Sequence, residues 1–115
     1  MADSEVLPLD DLVTYQAGSV VSRTIIKNKA GSVTLFAFDK AQEISEHKVP
    51  YDATAHILDG EAEITVSGNA NLLKAGDMIF MPANEIHALK AVKRFKMVLT
   101  MIRAGEEENR GSASF

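Results

Sequence analysis

Apolar and polar residues alternate with a period of two along much of this chain, which is the spacing of β-strands. In residues 61–66 (EAEITV) every second side chain is apolar, as in a strand with one face in water. Residues 20–26 and 32–38 are rich in β-branched and aromatic residues, and a turn-like KNKAG separates them. An extended segment over residues 95–101 places four apolar side chains on one face: Phe95, Met97, Leu99 and Met101.

Turn signals divide these segments at short intervals. Asp59-Gly60 lies between residues 55–58 (AHIL) and 61–66, and it predicts a two-residue hairpin because both central positions of a type I′ turn need positive φ. Ser67-Gly68-Asn69 predicts a further turn. A helical pattern is present only near the start of the chain and at its far end. Short strands with turns every eight to twelve residues indicate an antiparallel sandwich or barrel.

The length of 115 residues is that of one domain. We expect residues 19–103 to form a barrel and residues 1–18 to be an N-terminal extension that packs on it. Residues 104–115 carry charge, Gly and Ser but almost nothing to bury, so they predict a loose C-terminal tail.

Charge and composition exclude several classes of protein. Twelve Lys+Arg against sixteen Asp+Glu give a net charge of −4 and a pI near 5.3, whereas a general nucleic-acid binder has a basic excess. Without cysteine there is no disulfide framework, thiolate metal site or cysteine nucleophile. The first residues lack the pattern of a signal peptide, and no apolar run approaches the ~20 residues that span a bilayer. We expect a cytoplasmic protein that binds neither nucleic acid nor membrane.

The residues best suited to chemistry are three histidines: His47, His56 and His87. The spacing around them resembles the two motifs of the cupin family of small β-barrels. The first motif (Gly, five residues, His-any-His, three or four residues, Glu, six residues, Gly) falls on Ala41, His47, Val49, Ala53 and Gly60. The second (Gly, five residues, Pro-any-Gly, two residues, His, three residues, Asn) falls on Gly76, Pro82, Asn84, His87 and Ala91.

Five of these ten positions keep the family residue: His47, Gly60, Gly76, Pro82 and His87. The likeness covers residues 19–102 and implies an all-β fold, an antiparallel double-sheet jelly-roll β-barrel. The chain looks like a subgroup of small bacterial and archaeal cupins without an assigned reaction. The two glycines suit turns that need positive φ, and Asn84 tolerates the left-handed region better than other side chains.

The resemblance also implies a metal site. Cupins commonly hold Fe, Mn, Ni or Zn with the two histidines and the glutamate of the first motif and the histidine of the second. Here Val49 and Ala53 replace two of those ligands, so that only His47 and His87 are left. Two imidazoles hold a divalent ion weakly, and best an ion that favours nitrogen, such as Zn, Ni or Cu.

Strand alternation bears on the choice of a third ligand, for which His56 and Asp52 are the candidates. Counting by twos from Ala53 puts Ala55 and Ile57 on the cavity face, so His56 points away, to the outer sheet surface or a dimer interface. A slip of register at the preceding turn would reverse this and make His56 a ligand. Asp52 is one residue off the Ala53 position and reaches the cavity only from an irregular turn.

Two classes of function follow. We expect first a small organic molecule bound in the barrel, in an apolar cavity lined by His47, Val49, Tyr51, Ala53, His87 and Met97. The alternative is a metal-dependent enzyme of the dioxygenase, decarboxylase or isomerase type, with His47 and His87 on the ion. A histidine that acts as a general base without a metal is a third hypothesis. Because open sheets expose edges and apolar faces, we also predict a homodimer in which a sheet is covered by Val20, Val21 and Ile25.

Overall fold

The computed structural model describes residues 4–104, which form nine strands and a short 3-10 helix, Leu9–Asp11. The strands are β1 (Val20–Asn28), β2 (Gly31–Phe38), β3 (Glu43–His47), β4 (Tyr51–Asp59), β5 (Glu61–Val66), β6 (Asn69–Lys74), β7 (Met78–Met81), β8 (His87–Ala91) and β9 (Phe95–Arg103). A five-stranded sheet has the order β1-β2-β9-β4-β7, a four-stranded sheet has the order β3-β8-β5-β6, and every pairing is antiparallel. The predicted all-β, double-sheet jelly roll is confirmed. In the described residues the hydrogen bonds leave two separate sheets rather than one closed barrel.

The core lies between the two sheets, where alternate side chains of each strand meet. In β5, Ala62 and Ile64 are buried while Glu63 is exposed, as the sequence pattern predicts. In β9, Phe95 and Met97 are buried on one face, which is also as predicted. The buried cluster consists of Phe38, Ala53, Ala55, Ile57, Ala62, Ile64, Leu73, Met81, Leu89, Ala91, Phe95 and Met97. Its removal from water is the main source of stability.

Aromatic rings close one end of this sandwich. Phe38 ends β2, Phe95 begins β9, and the two are cross-strand partners. Their rings stack with centroids 4.5 Å apart and planes at 14°, and both side chains are fully buried. Such a pair contributes about 0.5–1.5 kcal/mol beyond the burial of its area. We call this the closed end, and we call the other end, where β2, β4 and β8 begin and β1, β3 and β9 end, the open end.

The turn predicted at Ser67-Gly68 is confirmed as a hairpin. It joins β5 to β6, with Val66 opposite Asn69. The φ angles of its two central residues are 49° and 84°, as a type I′ turn requires.

The hairpin predicted at Asp59-Gly60 is wrong. β4 pairs with β7 and β9, whereas β5 belongs to the other sheet, so the chain turns a corner between sheets at this point. A register shift between Ile57 and Asp59 bends β4 into this corner. Gly60 has a φ of 80°, and a Cβ added there would lie 1.8 Å from the carbonyl oxygen of Arg94. Glycine is required at this corner because the backbone of Arg94 and Phe95, at the start of β9, passes too close for a side chain.

The N-terminal segment crosses the outer face of the five-stranded sheet. Val13 is buried there against Leu35 and Ala37 of β2. Val21 and Ile25 of β1, which we expect at a dimer interface, pack around the same cluster within one chain. The homodimer stays a prediction.

A set of polar contacts, which we call the N-terminal clasp, holds residues 10–15 in place. The Tyr15 hydroxyl donates a hydrogen bond to Asp59, and Lys96 donates one to the backbone carbonyl of Asp10. The guanidinium of Arg94 lies 4.6 Å and the ammonium of Lys96 lies 5.2 Å from the centre of the Tyr15 ring, within the range of cation–π attraction. Burial and the bond to Asp59 raise the pKa of Tyr15 above its ordinary value.

The predicted tail, residues 104–115, lies outside the described residues except for Ala104. The division of the chain at residues 18 and 103 stays a prediction. In the part of the chain that the structure describes, no helix is long and apolar enough to cross a membrane.

Candidate functional site at the open end

Two of the three histidines are neighbours at the open end. His47, the last residue of β3, is the cross-strand partner of His87, the first residue of β8, and directly opposed partners project from the same face of a sheet. Their ring centroids are 4.3 Å apart and their planes meet at 68°. Alternation from Ile44, which packs on the core, would point His47 outward. A register shift between Ile44 and His47 reverses this, because a bulge re-aims the side chains that follow it.

The backbone determines which nitrogen each imidazole presents. Nδ1 of His47 lies 3.0 Å from the carbonyl oxygen of Ser45, and Nδ1 of His87 lies 3.3 Å from that of Glu85. A carbonyl can only accept, so Nδ1 carries the proton in each neutral ring and Nε2 keeps its lone pair. Within residues 4–104 neither Nε2 atom has a hydrogen-bond partner. Both are therefore left for a ligand.

The two rings differ in burial. His47 is exposed, whereas His87 is only 6% exposed and is the one buried polar side chain of the described residues. Burial lowers the pKa of His87 below its ordinary value, and the nearby charge of His47 lowers it further, while the bond to the Glu85 carbonyl acts in the opposite direction. The lowered pKa of His87 favours its neutral imidazole, whose Nε2 can accept a hydrogen bond from a ligand.

The five-stranded sheet forms the wall opposite the histidines. One row of cross-strand partners runs over all five of its strands: Lys27, Ser32, Met101, Ala53 and Met81. A cavity of about 230 Å³ at one side of this row is lined by Lys27, Asn28, Gly31, Ser32, Tyr51 and Met101. Lys27 and Ser32 are absent from the residues expected from the sequence, because only strand pairing brings them to this end.

Hydrogen bonds hold the loop that leads into His87. Asn84 adopts the left-handed conformation, with a φ of 65°, and its amide donates to the carbonyl of Val49 at 2.9 Å. The amide of Ala83 donates to Oδ1 of Asp52 at 2.9 Å. On its other side the loop is bonded to the β5–β6 turn. Asp52 thus positions the loop before His87, a role that the sequence does not indicate.

The structure brings only some of the expected site residues together. Tyr51 lines the cavity, but Ala53 and Met97 lie in the core with exposures of 3% and 1%. Val49 is half-buried in the connection between β3 and β4. Of the two candidate third ligands, His56 is exposed between two buried neighbours on β4, and Asp52 is bonded to the loop.

The side chains at this end do not fit the metal centre that the sequence resemblance implies. Val49 and Ala53 carry no donor atom, and residues 4–104 contain no group of three or more His, Cys, Asp or Glu side chains placed to hold a metal ion. Zinc sites in proteins use three or four protein ligands, and an iron facial triad needs two histidines and a carboxylate. His47 and His87 supply two donors.

Comparison with known proteins assigns this chain to the same family by sequence and by fold. The chain matches the cupin domain family over residues 34–103. It is similar to a conserved protein of unknown function from Streptococcus pyogenes, with 36% identity, a TM-score of 0.85 and coverage of 92% of this chain and 93% of the other. A cupin superfamily protein from Desulfitobacterium hafniense has 29% identity and a TM-score of 0.83, with coverage of 89% and 94%. An uncharacterized protein of Aquifex aeolicus (strain VF5) is 27% identical over 99 residues, 84% of this chain and 82% of the relative. Because the family match covers more than half of the chain, this chain belongs to the cupin family.

Proposed function

We propose that this cupin binds a small organic molecule between its sheets at the open end, with His47 and His87 as the polar groups that orient it. The observation that carries the proposal is the imidazole pair. The centroids of its two rings are 4.3 Å apart, and each ring keeps Nδ1 bonded to the backbone carbonyl two residues earlier in the chain. Two Nε2 lone pairs from neighbouring strands are then available to one ligand, for example to its hydroxyl, amide or acid hydrogens.

The surroundings of the pair support the same proposal. Binding pockets for small molecules are mostly apolar, with a few polar groups that set orientation. Here the interior beyond the histidines is apolar, and the stack of Phe38 on Phe95 fills its far end. A ligand would therefore enter from the open end and keep its polar groups there.

The test is an NMR titration of protein labelled with carbon-13 in its histidines. Probes are short-chain and aromatic alcohols, amides and carboxylates. A bound probe should shift the Cε1 resonances of His47 and His87 and leave that of His56 unchanged. His47→Gln should weaken binding about three- to tenfold, as expected for the loss of one hydrogen bond.

His56→Gln is the matched control, because it changes the same side chain on the outer surface of β4. Its affinity for the probes should equal that of the unmodified protein. Probes that shift His56 alone, or an affinity unaffected by His47→Gln, would contradict the proposal.

A metal-dependent enzyme of the dioxygenase, decarboxylase or isomerase type is the second candidate. The Nδ1 hydrogen bonds favour it, because histidines that bind metals usually donate from the other ring nitrogen in this way. With two donors, calorimetric titration of chelator-treated protein with Zn²⁺, Ni²⁺ or Cu²⁺ should detect only a weak site, lost in His47→Ala and on acidification.

Restoring the family's donors provides the matched comparison. Val49→His with Ala53→Glu should tighten binding by several orders of magnitude, provided that the double variant melts as one folded species. If the unmodified protein bound one ion per chain at nanomolar affinity, the two-donor interpretation would be wrong and the enzyme would become the leading candidate.

A further inference from the structure

We propose that the ligand of this cupin is a small carboxylic acid, bound as the anion, and that its carboxylate lies on the wall opposite the histidines against Lys27 and Tyr51. The inference rests on the proposed function, since it names the chemical class of the molecule that the proposed function places at the open end. The first observation is an irregularity in strand β1. A register shift between Thr24 and Ile26 makes Lys27 the partner of Ser32.

That shift decides where Lys27 points. Val21 packs on the outer face of the sheet, and unbroken alternation from it would put Lys27 on the outer face as well. With the bulge, Lys27 instead joins the inner row through Ser32 and Met101 to the buried Ala53. A lysine is thereby placed on the inner face at the mouth of the fold.

The cavity beside this row has one charged lining residue. Lys27 is that residue, and in residues 4–104 its ammonium makes no ion pair. Tyr51 and Ser32 line the same cavity, and the hydroxyl of neither makes a hydrogen bond to another described residue. One ammonium and two hydroxyl donors, with Met101 as an apolar surface beside them, are what a carboxylate on a small hydrocarbon body requires.

The charges around the open end favour an anion in the same way. The chain as a whole has a net charge of −4, yet the residues at this end of the strands include four basic and three acidic side chains: Lys27, Lys29, Lys48, Arg103, Glu46, Asp52 and Glu85. Two of the three carboxylates already accept hydrogen bonds, Asp52 from the Ala83 amide and Glu85 from the Ser67 hydroxyl. Among the described residues, this end therefore has one more basic than acidic side chain, in a chain that is acidic as a whole.

The volume of the cavity and its number of hydrogen-bond donors favour a carboxylate over other anions. A phosphate ester carries close to two charges and three strong acceptor oxygens, and it is usually bound by several cationic or backbone donors. The cavity has a single cation and a volume of about 230 Å³, which is small for a ligand site. The proposal places a second polar group of the same ligand at the imidazole pair, which belongs to the facing sheet.

The experiment compares matched probes by NMR and calorimetry: hexanoate with hexanol, and benzoate with benzyl alcohol. We expect each carboxylate to bind at least tenfold more tightly than its alcohol. Lys27→Met should abolish that preference, and Tyr51→Phe should reduce it severalfold. Lys74→Met is the control, because it removes an exposed lysine at the end of β6, away from the open end and from the cavity, and it should leave the preference within twofold. Because Lys27 is exposed, we expect Lys27→Met to fold normally. The melting temperature of each variant checks that the variant is folded.

The outcomes separate this inference from the function on which it rests. If acids and alcohols shift the His47 and His87 resonances with equal affinity, or if Lys27→Met keeps the preference for the acid, the carboxylate inference is overturned while ligand binding at the pair stands. If no probe of either class shifts the two histidines at millimolar concentration, both proposals are contradicted.

Discussion

Replacing Ala41 with glycine should make this protein more stable. Ala41 lies in the turn between β2 and β3, at the position where the first cupin motif has glycine, and its φ is 69°. Its amide donates to the carbonyl of Ala91 at 3.0 Å, and the amide of Ala91 donates to the carbonyl of Gln42 at 2.9 Å. These bonds tie the turn to the end of β8, so the left-handed backbone is retained although the side chain disfavours it.

The expected gain is the difference between two opposing effects. A residue with a Cβ in the left-handed region costs about 1–2 kcal/mol, because Cβ crowds the following carbonyl oxygen. Glycine removes that cost but gives the unfolded chain more freedom, which lowers stability by about 0.4–1 kcal/mol. The central values of these two ranges differ by about 0.8 kcal/mol, which is the net stabilisation expected for Ala41→Gly. In a domain of 115 residues this raises the melting temperature by about 2–4 °C.

Chemical denaturation with urea measures this free energy of unfolding, with calorimetric melting as a second readout. Ala75→Gly is the matched control: Ala75 is also an exposed turn alanine, but it is not among the described residues with positive φ. Only the entropic penalty applies there, so Ala75→Gly should destabilise by about 0.4–1 kcal/mol. If Ala41→Gly lowers stability as much as Ala75→Gly does, the turn carries no strain and the reasoning is refuted.

Three further predictions concern the site and its frame. Because burial lowers the pKa of His87, the unfolded chain binds a proton at this residue at a higher pH than the folded chain does. The free energy of unfolding should therefore fall as the pH drops below about 6.5. His87→Gln should reduce that loss in urea titrations, and an unchanged pH dependence would contradict this account. Asp52→Ala should destabilise by about 1–3 kcal/mol and shift the His87 Cε1 resonance, whereas an unmoved resonance would argue against a positioning role. In Gly60→Ala the new Cβ would lie 1.8 Å from the Arg94 carbonyl oxygen, so the free energy of unfolding should fall by about 2–4 kcal/mol. Gly68 has positive φ but open space around it, so Gly68→Ala should lower it by only about 1 kcal/mol. Equal losses in the two variants would show that the close approach at Gly60 is relieved cheaply.

The fold was predictable because two independent signals agree. Alternation in β5 and β9 indicates half-buried strands, and the spacing of His47, Gly60, Gly76 and His87 resembles a family with a known architecture. The error at Asp59-Gly60 has a physical cause. A tight hairpin and a corner between two sheets both need glycine with positive φ, and the apolar residues on either side are buried in both arrangements. Local sequence therefore does not determine which strand β5 pairs with.

The site was predictable only in part, because two bulges control it. Alternation alone points both His47 and Lys27 to the outer faces of their sheets, and a register shift in each strand brings them inside. The family spacing identified His47 despite its bulge, because a match of residue spacing does not depend on which way the strand alternates. No motif contains Lys27, and neither strand sequence signals where the extra residue is placed. The inward orientation of Lys27 therefore becomes known only when the pairing of β1 with β2 is known.

The N-terminal clasp also has a consequence for how the chain reaches its fold. Lys96 and Asp10 are 86 positions apart, and Tyr15 and Asp59 are 44 apart. During synthesis the N-terminal clasp therefore cannot be completed until residue 96 has left the ribosome. Contacts so distant in sequence make folding slow, in the range of milliseconds to seconds, and leave strand edges exposed to other chains in the meantime. Shortening the N-terminus, or removing its contacts with Arg94 and Lys96, would extend that interval. We therefore expect such changes to lower the yield of folded protein in a cell while the properties of the histidine pair in the folded protein stay the same.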